Sequence, residues 1–176
     1  ALDPALLEQV VHALIGHHDA LRLRFKRTSD GWLQQIVDMD MANQAEHFRL
    51  IDLSDVPEAD RSGAIERCAN EIQTSFDLAE GPIIRIAYFD LGKGHAGRLL
   101  IAVHHLAIDG VSWRILLEDL QLCYRQLSSG QPIALPPKTT SYKEWAETLV
   151  AAAETDYFKS ELDHWEGAAA ASVLPL

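Results

Sequence analysis

The sequence predicts an α/β fold of the α+β kind, a mixed sheet with helices packed on one of its faces. Three observations predict it. Apolar residues three and four apart, the period of a helix, recur near both ends and in the middle of the chain. Between these segments stand short apolar runs that alternate or are β-branched. Asp- and Gly-rich turns join several of the runs in pairs, as in hairpins. The resulting order is α, β, β, β, α, β, β, α, α, α, and helices interleaved with hairpins pack as layers on a sheet.

Asp3-Pro4 starts the first helix, with the aspartate as cap and the proline at the first helical position. Leu6, Leu7, Val10, Val11 and Leu14 follow at helical spacing as far as Gly16. His17-His18-Asp19 reads as a solvated polar turn. Leu21, Leu23 and Phe25 alternate with Arg22, Arg24 and Lys26, as in a half-exposed strand. Ser29-Asp30-Gly31 turns the chain back into a strand over residues 32–37, and Phe48, Leu50 and Ile51 mark a weaker one. A helix is expected over residues 58–75 and a loop over 76–82. Residues 83–89 and 98–104 read as two strands joined by a Gly-rich hairpin turn. A helix follows from Val111 to about Leu127, then a Gly/Pro-rich link over 128–138. Thr140 opens a helix with Tyr142, Trp145 and Leu149 on one packing face, and a single further helix runs over 155–165. Residues 167–176, ending Leu-Pro-Leu, read as a linker.

At 176 residues, 48% hydrophobic and 23% charged, the chain has the size and composition of one folded domain. Its formal charge of −11 argues against nonspecific nucleic-acid binding, which needs a basic face. No apolar run approaches the ~20 residues that span a bilayer. Cys68 and Cys123 stand far apart with no CxxC pair, so buried, reduced thiols in a cytoplasmic protein are expected. The start, Ala1-Leu2-Asp3-Pro4, reads as a cut into something longer.

Function is most legible over residues 104–113. His104 and His105 end an apolar run, and Asp109-Gly110 stand just before a helix start. Titratable groups at a strand end beside a helix are well placed for acid–base work. Neighbours on a regular strand point to opposite faces, so one histidine faces a cleft and the other is structural. The same divergence argues against a metal here, since zinc needs three or four converging ligands, and no metal ligand set is expected. By itself such a pair is more often structural than catalytic. Asp109 caps the helix, or Ser112 does so instead. Gly110 is expected to hold a backbone conformation that a Cβ would forbid. GxSxG elbows and glycine-rich phosphate loops are absent.

On these residues the chain resembles the condensation-domain superfamily of nonribosomal peptide synthetases, which shares the chloramphenicol-acetyltransferase-like fold. The pattern HHxxxDG matches His104, His105, Asp109 and Gly110. His17-His18-Asp19-Ala20-Leu21-Arg22-Leu23-Arg24-Phe25 is similar to the family's HHDxLRxRF segment. Phe76-Asp77-Leu78-Ala79-Glu80-Gly81-Pro82-Ile83-Ile84-Arg85 is similar to FDLxxGPLLR, and Thr140-Ser141-Tyr142-Lys143-Glu144-Trp145-Ala146 to TSFKxWA. The continuation Val111-Ser112-Trp113-Arg114-Ile115-Leu116 is most like the epimerization domains.

The resemblance implies inversion of the α-carbon of an aminoacyl or peptidyl thioester. That substrate hangs on the phosphopantetheine arm of a peptidyl carrier protein, the expected partner, and no cofactor is held directly. It assigns His105 as the acid/base, with a Glu of the second half of the domain opposite. His104, Asp109, Gly110, Trp113 and Arg22 are expected to support it. His104 would hold the strand end by a hydrogen bond, Asp109 would pair with Arg22 or Arg24, and Trp113 would line the tunnel or pack as core. By the same resemblance residues 1–166 form the N-terminal lobe, incomplete at its start, and 167–176 lead to a missing C-terminal lobe. The residues alone are then not expected to catalyse epimerization. Two other functions remain open: a condensation domain forming an amide bond, and a noncatalytic module that docks carrier proteins.

Overall fold

A computed structural model of the chain describes residues 2–170. It divides into two compact units, with the division after Pro137. The first unit begins with α1 (Pro4–His17). Asp3 caps α1 as its sequence predicts, accepting from the amide of Ala5 at 2.9 Å. A 3-10 turn over Asp19–Arg22 follows, so the strand expected from Leu21 begins only at Leu23. β1 (Leu23–Thr28) and β2 (Gly31–Ile36) form an antiparallel hairpin about Ser29-Asp30. A short helix the sequence did not announce, α2 (Met39–Ala42), is capped by Asp38.

Then come β3 (Phe48–Asp52), α3 (Glu58–Thr74), β4 (Ile84–Asp90), β5 (Arg98–Val103) and α4 (Gly110–Ser128). The sheet is mixed, in the order β3-β4-β5, with β3 parallel and β5 antiparallel to β4. The β1–β2 hairpin stands apart from it as a second sheet.

Helices cover both faces of the mixed sheet, not one. Ile84 and Ile86 of β4 pack with Val10, Leu14, Leu116 and Leu120 of α1 and α4. Ala87 and Phe89, of the opposite parity, pack with Ala64 and Ile72 of α3. β5 follows the same division, with Ile101 on the α1–α4 side and Ala102 on the α3 side. A strand buried on both faces reads as a continuous apolar run, which is how residues 83–89 read but for the half-buried Arg85.

Arg24 corrects the alternation expected of β1. It is 3% exposed, because its guanidinium turns inward onto the 76–82 loop. Nε donates to Glu80 O at 2.9 Å and Nη1 to Leu23 O at 2.9 Å. Gly81 permits this close approach: its φ is +82°, and a Cβ there would overlap the Arg24 guanidinium.

The second unit holds α5 (Tyr142–Ala153), α6 (Asp156–Lys159) and α7 (Leu162–Ala170). Ser141, not Thr140, caps α5, accepting from the Glu144 amide at 3.1 Å. The single helix expected over 155–165 is broken, and Ser160 Oγ donates to Tyr157 O at 2.7 Å across the break. Tyr142 and Trp145, expected to pack, are 49% and 53% exposed. Residues 167–170, expected as linker, continue α7, and the remainder of that linker lies outside the described residues. No described helix is long and apolar enough to cross a membrane.

Candidate active site

The turn between β5 and α4 is held at several points, and His105 rides on it. β5 ends at Val103, so the two histidines are not strand neighbours as expected. His104 still donates its amide to Ile83 O at 2.9 Å, and its own carbonyl accepts from Ala107 N at 2.9 Å. His104 Nδ1 accepts from the Leu106 amide at 3.2 Å, which fixes that nitrogen as the unprotonated one. Phe76 meets the same ring edge-on, centroids 6.2 Å apart. Ile108, 7% exposed, anchors the far side of the turn in the core. Between these anchors His105 is exposed, beside Leu106 at 46% exposure.

Asp109 closes the turn as the cap of α4. Its Oδ1 accepts from the Ser112 amide at 2.8 Å and the Ser112 hydroxyl at 2.6 Å. The Ser112 hydroxyl, then its amide, hold the Asp109 carboxyl below its ordinary pKa. Asp109 therefore does not pair with Arg22 or Arg24. Arg22 is spent at the end of α1, where Nη1 donates to the Gly16 carbonyl at 3.1 Å and Nε to Val37 O at 3.0 Å. Its Nη2 meets Asp19 Oδ1 at 2.7 Å. Carbonyls at a helix end lack partners within the helix, and a guanidinium on the following turn supplies them.

Gly110 also differs from expectation. It is the first helical residue, its φ is not positive, and a Cβ would meet nothing within 4 Å. Trp113 packs, half-buried, against the main core.

Sequence reasoning missed the partner of His18. Its Nε2 donates to Asp119 Oδ2 at 2.9 Å, a bond from the end of α1 to the middle of α4. His18 is thus not on a solvated turn. A signal was present: Asp119 shares the helical spacing of Leu116, Leu120 and Cys123 and so falls on the buried face. A cavity of about 200 Å³ between β3 and α3 was also unannounced. It is lined by His47, Arg49, Glu71 and Arg85 among others, and His105 is not in its lining. Cys123 is buried, whereas Cys68 is only half-buried; both are free thiols.

The fold and this turn together define the class. The Condensation domain family matches over residues 1–176, and the chain belongs to that family. Its relatives are peptide synthetases. A linear gramicidin synthase of Brevibacillus parabrevis is 49% identical over 164 residues, 93% of this chain and 3% of that protein. Surfactin synthase subunit 2 of Bacillus subtilis is 37% identical over 99% of the chain and 5% of its own length. Among solved structures, the epimerization domain from the third module of tyrocidine synthetase B is similar at a TM-score of 0.88 and 32% identity. It matches all of this chain, which spans 39% of that one. The starter condensation domain of rhizomide synthetase shares the fold, with a TM-score of 0.81 and 21% identity over 99% of this chain and 41% of its own.

Proposed function

We propose that the chain is the N-terminal lobe of an epimerization domain and that His105 moves the α-proton of a carrier-bound aminoacyl or peptidyl thioester. The observation that carries this reading is the exposed imidazole of His105 on a turn anchored at both ends. A thioester carbonyl acidifies the neighbouring C–H, and a neutral imidazole can take that proton as a general base. The electron pair of the broken C–H bond passes into an enolate. Return of a proton from the opposite face completes inversion, and a carboxylic acid from the rest of the domain would supply it. His104 and Asp109 serve as positioning residues for the turn. The phosphopantetheine arm of a peptidyl carrier protein would bring the substrate to His105.

The test is exchange of the α-proton with deuterated solvent, measured in the full-length protein loaded with an aminoacyl carrier protein. His105→Ala is expected to slow exchange by about 10²- to 10⁴-fold. An unchanged rate would overturn the assignment. Amide-bond formation without any D-product would replace epimerization with condensation.

A further inference from the structure

We propose that His17, His18 and Asp119 form a binding site for a divalent transition metal of the zinc class. One ligating atom of each lies within 4.8 Å of the other two. Two imidazoles and a carboxylate are a donor set that zinc accepts, with an open fourth position for water.

The backbone explains why adjacent histidines converge here. His17 is the last residue of α1, and His18 has left the helix for extended backbone, φ −94° and ψ 99°. Within a helix, neighbouring side chains would splay; the break at His18 brings the rings to 5.0 Å between centroids, at 83° to each other. Asp119 reaches the same point from α4 and is 9% exposed. The site thus bridges the two helices that cover one face of the sheet.

Two further features favour a cation. The chain carries a net charge of −11. His17 is the informative member: the His18–Asp119 bond is complete without it, yet its ring stands beside that pair. Tetrahedral zinc at about 2.0–2.1 Å needs ligand atoms about 3.3 Å apart. The His18–Asp119 separation of 2.9 Å opens slightly to meet that, and rotation of His17 closes the wider gap.

Chelator-stripped full-length protein, titrated with Co²⁺ as a spectroscopic stand-in for Zn²⁺, tests this. The intense visible bands of four-coordinate Co²⁺ are expected, with one equivalent fewer bound by His17→Gln than by wild type. His17→Gln keeps the His18–Asp119 bond, so its unfolding midpoint without metal should match wild type. Added Zn²⁺ should raise the midpoint of wild type and not of His17→Gln. Wild type without the four-coordinate bands, or equal Co²⁺ uptake by wild type, His17→Gln and Asp119→Asn, would overturn the proposal. If a variant misfolds, the wild-type spectrum alone decides.

Discussion

Ser112 gives Asp109 two hydrogen bonds to one oxygen, from its amide at 2.8 Å and its hydroxyl at 2.6 Å. The cap of α4 is therefore built three residues into the helix it starts, and it sets where the turn carrying His105 ends. Because these bonds hold the Asp109 carboxyl below its ordinary value of 3.8, its contribution to stability is whole above that value. It is lost as pH falls through the lowered folded pKa. Asp109→Ala is expected to unfold at a lower temperature than wild type at neutral pH. The gap should shrink in strong acid, where wild type has lost the same bonds; thermal scans at both pH values check it.

Gly110→Ala should fold as well as wild type. No positive φ and no close neighbour demand glycine there, and alanine suits a helix better by up to about 1 kcal/mol. Denaturant titration measures stability, and α-proton exchange in the full-length protein measures the reaction proposed above. A stable but slow variant would show that the substrate, not the backbone, needs the space.

Gly81→Ala should be costly. The positive φ and the overlap with the buried Arg24 guanidinium act together, and a loss of about 2 kcal/mol or more is expected in urea titration. Gly94→Ala shares the positive φ but meets no neighbour within 4 Å, so it should cost less.

Burial, and then the Arg24 charge, push the His47 pKa from 6.5 down to about 4, against the opposing hydrogen bond to Ala45. The unfolded chain gains a proton near the ordinary value, while the folded one refuses it until about 4. Stability should therefore fall as pH drops through that window. His47→Asn removes the titration. Urea midpoints at about pH 7 and about pH 4.5 should differ less for this variant than for wild type.

Much of the fold was legible because its signals are local. Asp3 and Pro4 mark a helix start, Ser29-Asp30 turns a hairpin, and an apolar run over 83–89 is a buried strand. What the sequence hid is pairing at a distance. Nothing near Phe48 announces that β3 runs parallel to β4, or that the opposite parities of β4 each find helices. His18 and Asp119 stand 101 residues apart, and only the folding of α1 onto α4 joins them. The expected Asp109–Arg22 pair failed for a local reason. The carbonyls of Ile15 and Gly16 at the end of α1 are nearer claimants for that guanidinium. At the candidate site, the motif drew attention to His104, His105 and Asp109, which the structure places on one turn between β5 and α4. The strand's end at Val103 then decided which imidazole is exposed.

The Gly-rich turn joining β4 to β5 offers a port for reporters. Lys93, Gly94 and His95 are exposed, and a Cβ on Gly94 would touch nothing within 4 Å. Gly97 is a poorer choice, since even a methyl there would strike Tyr88. The turn lies at the opposite end of β5 from His105, about 20 Å away along six residues of strand. A dye or short epitope spliced at Gly94 could thus follow the protein through purification while leaving the chemistry undisturbed.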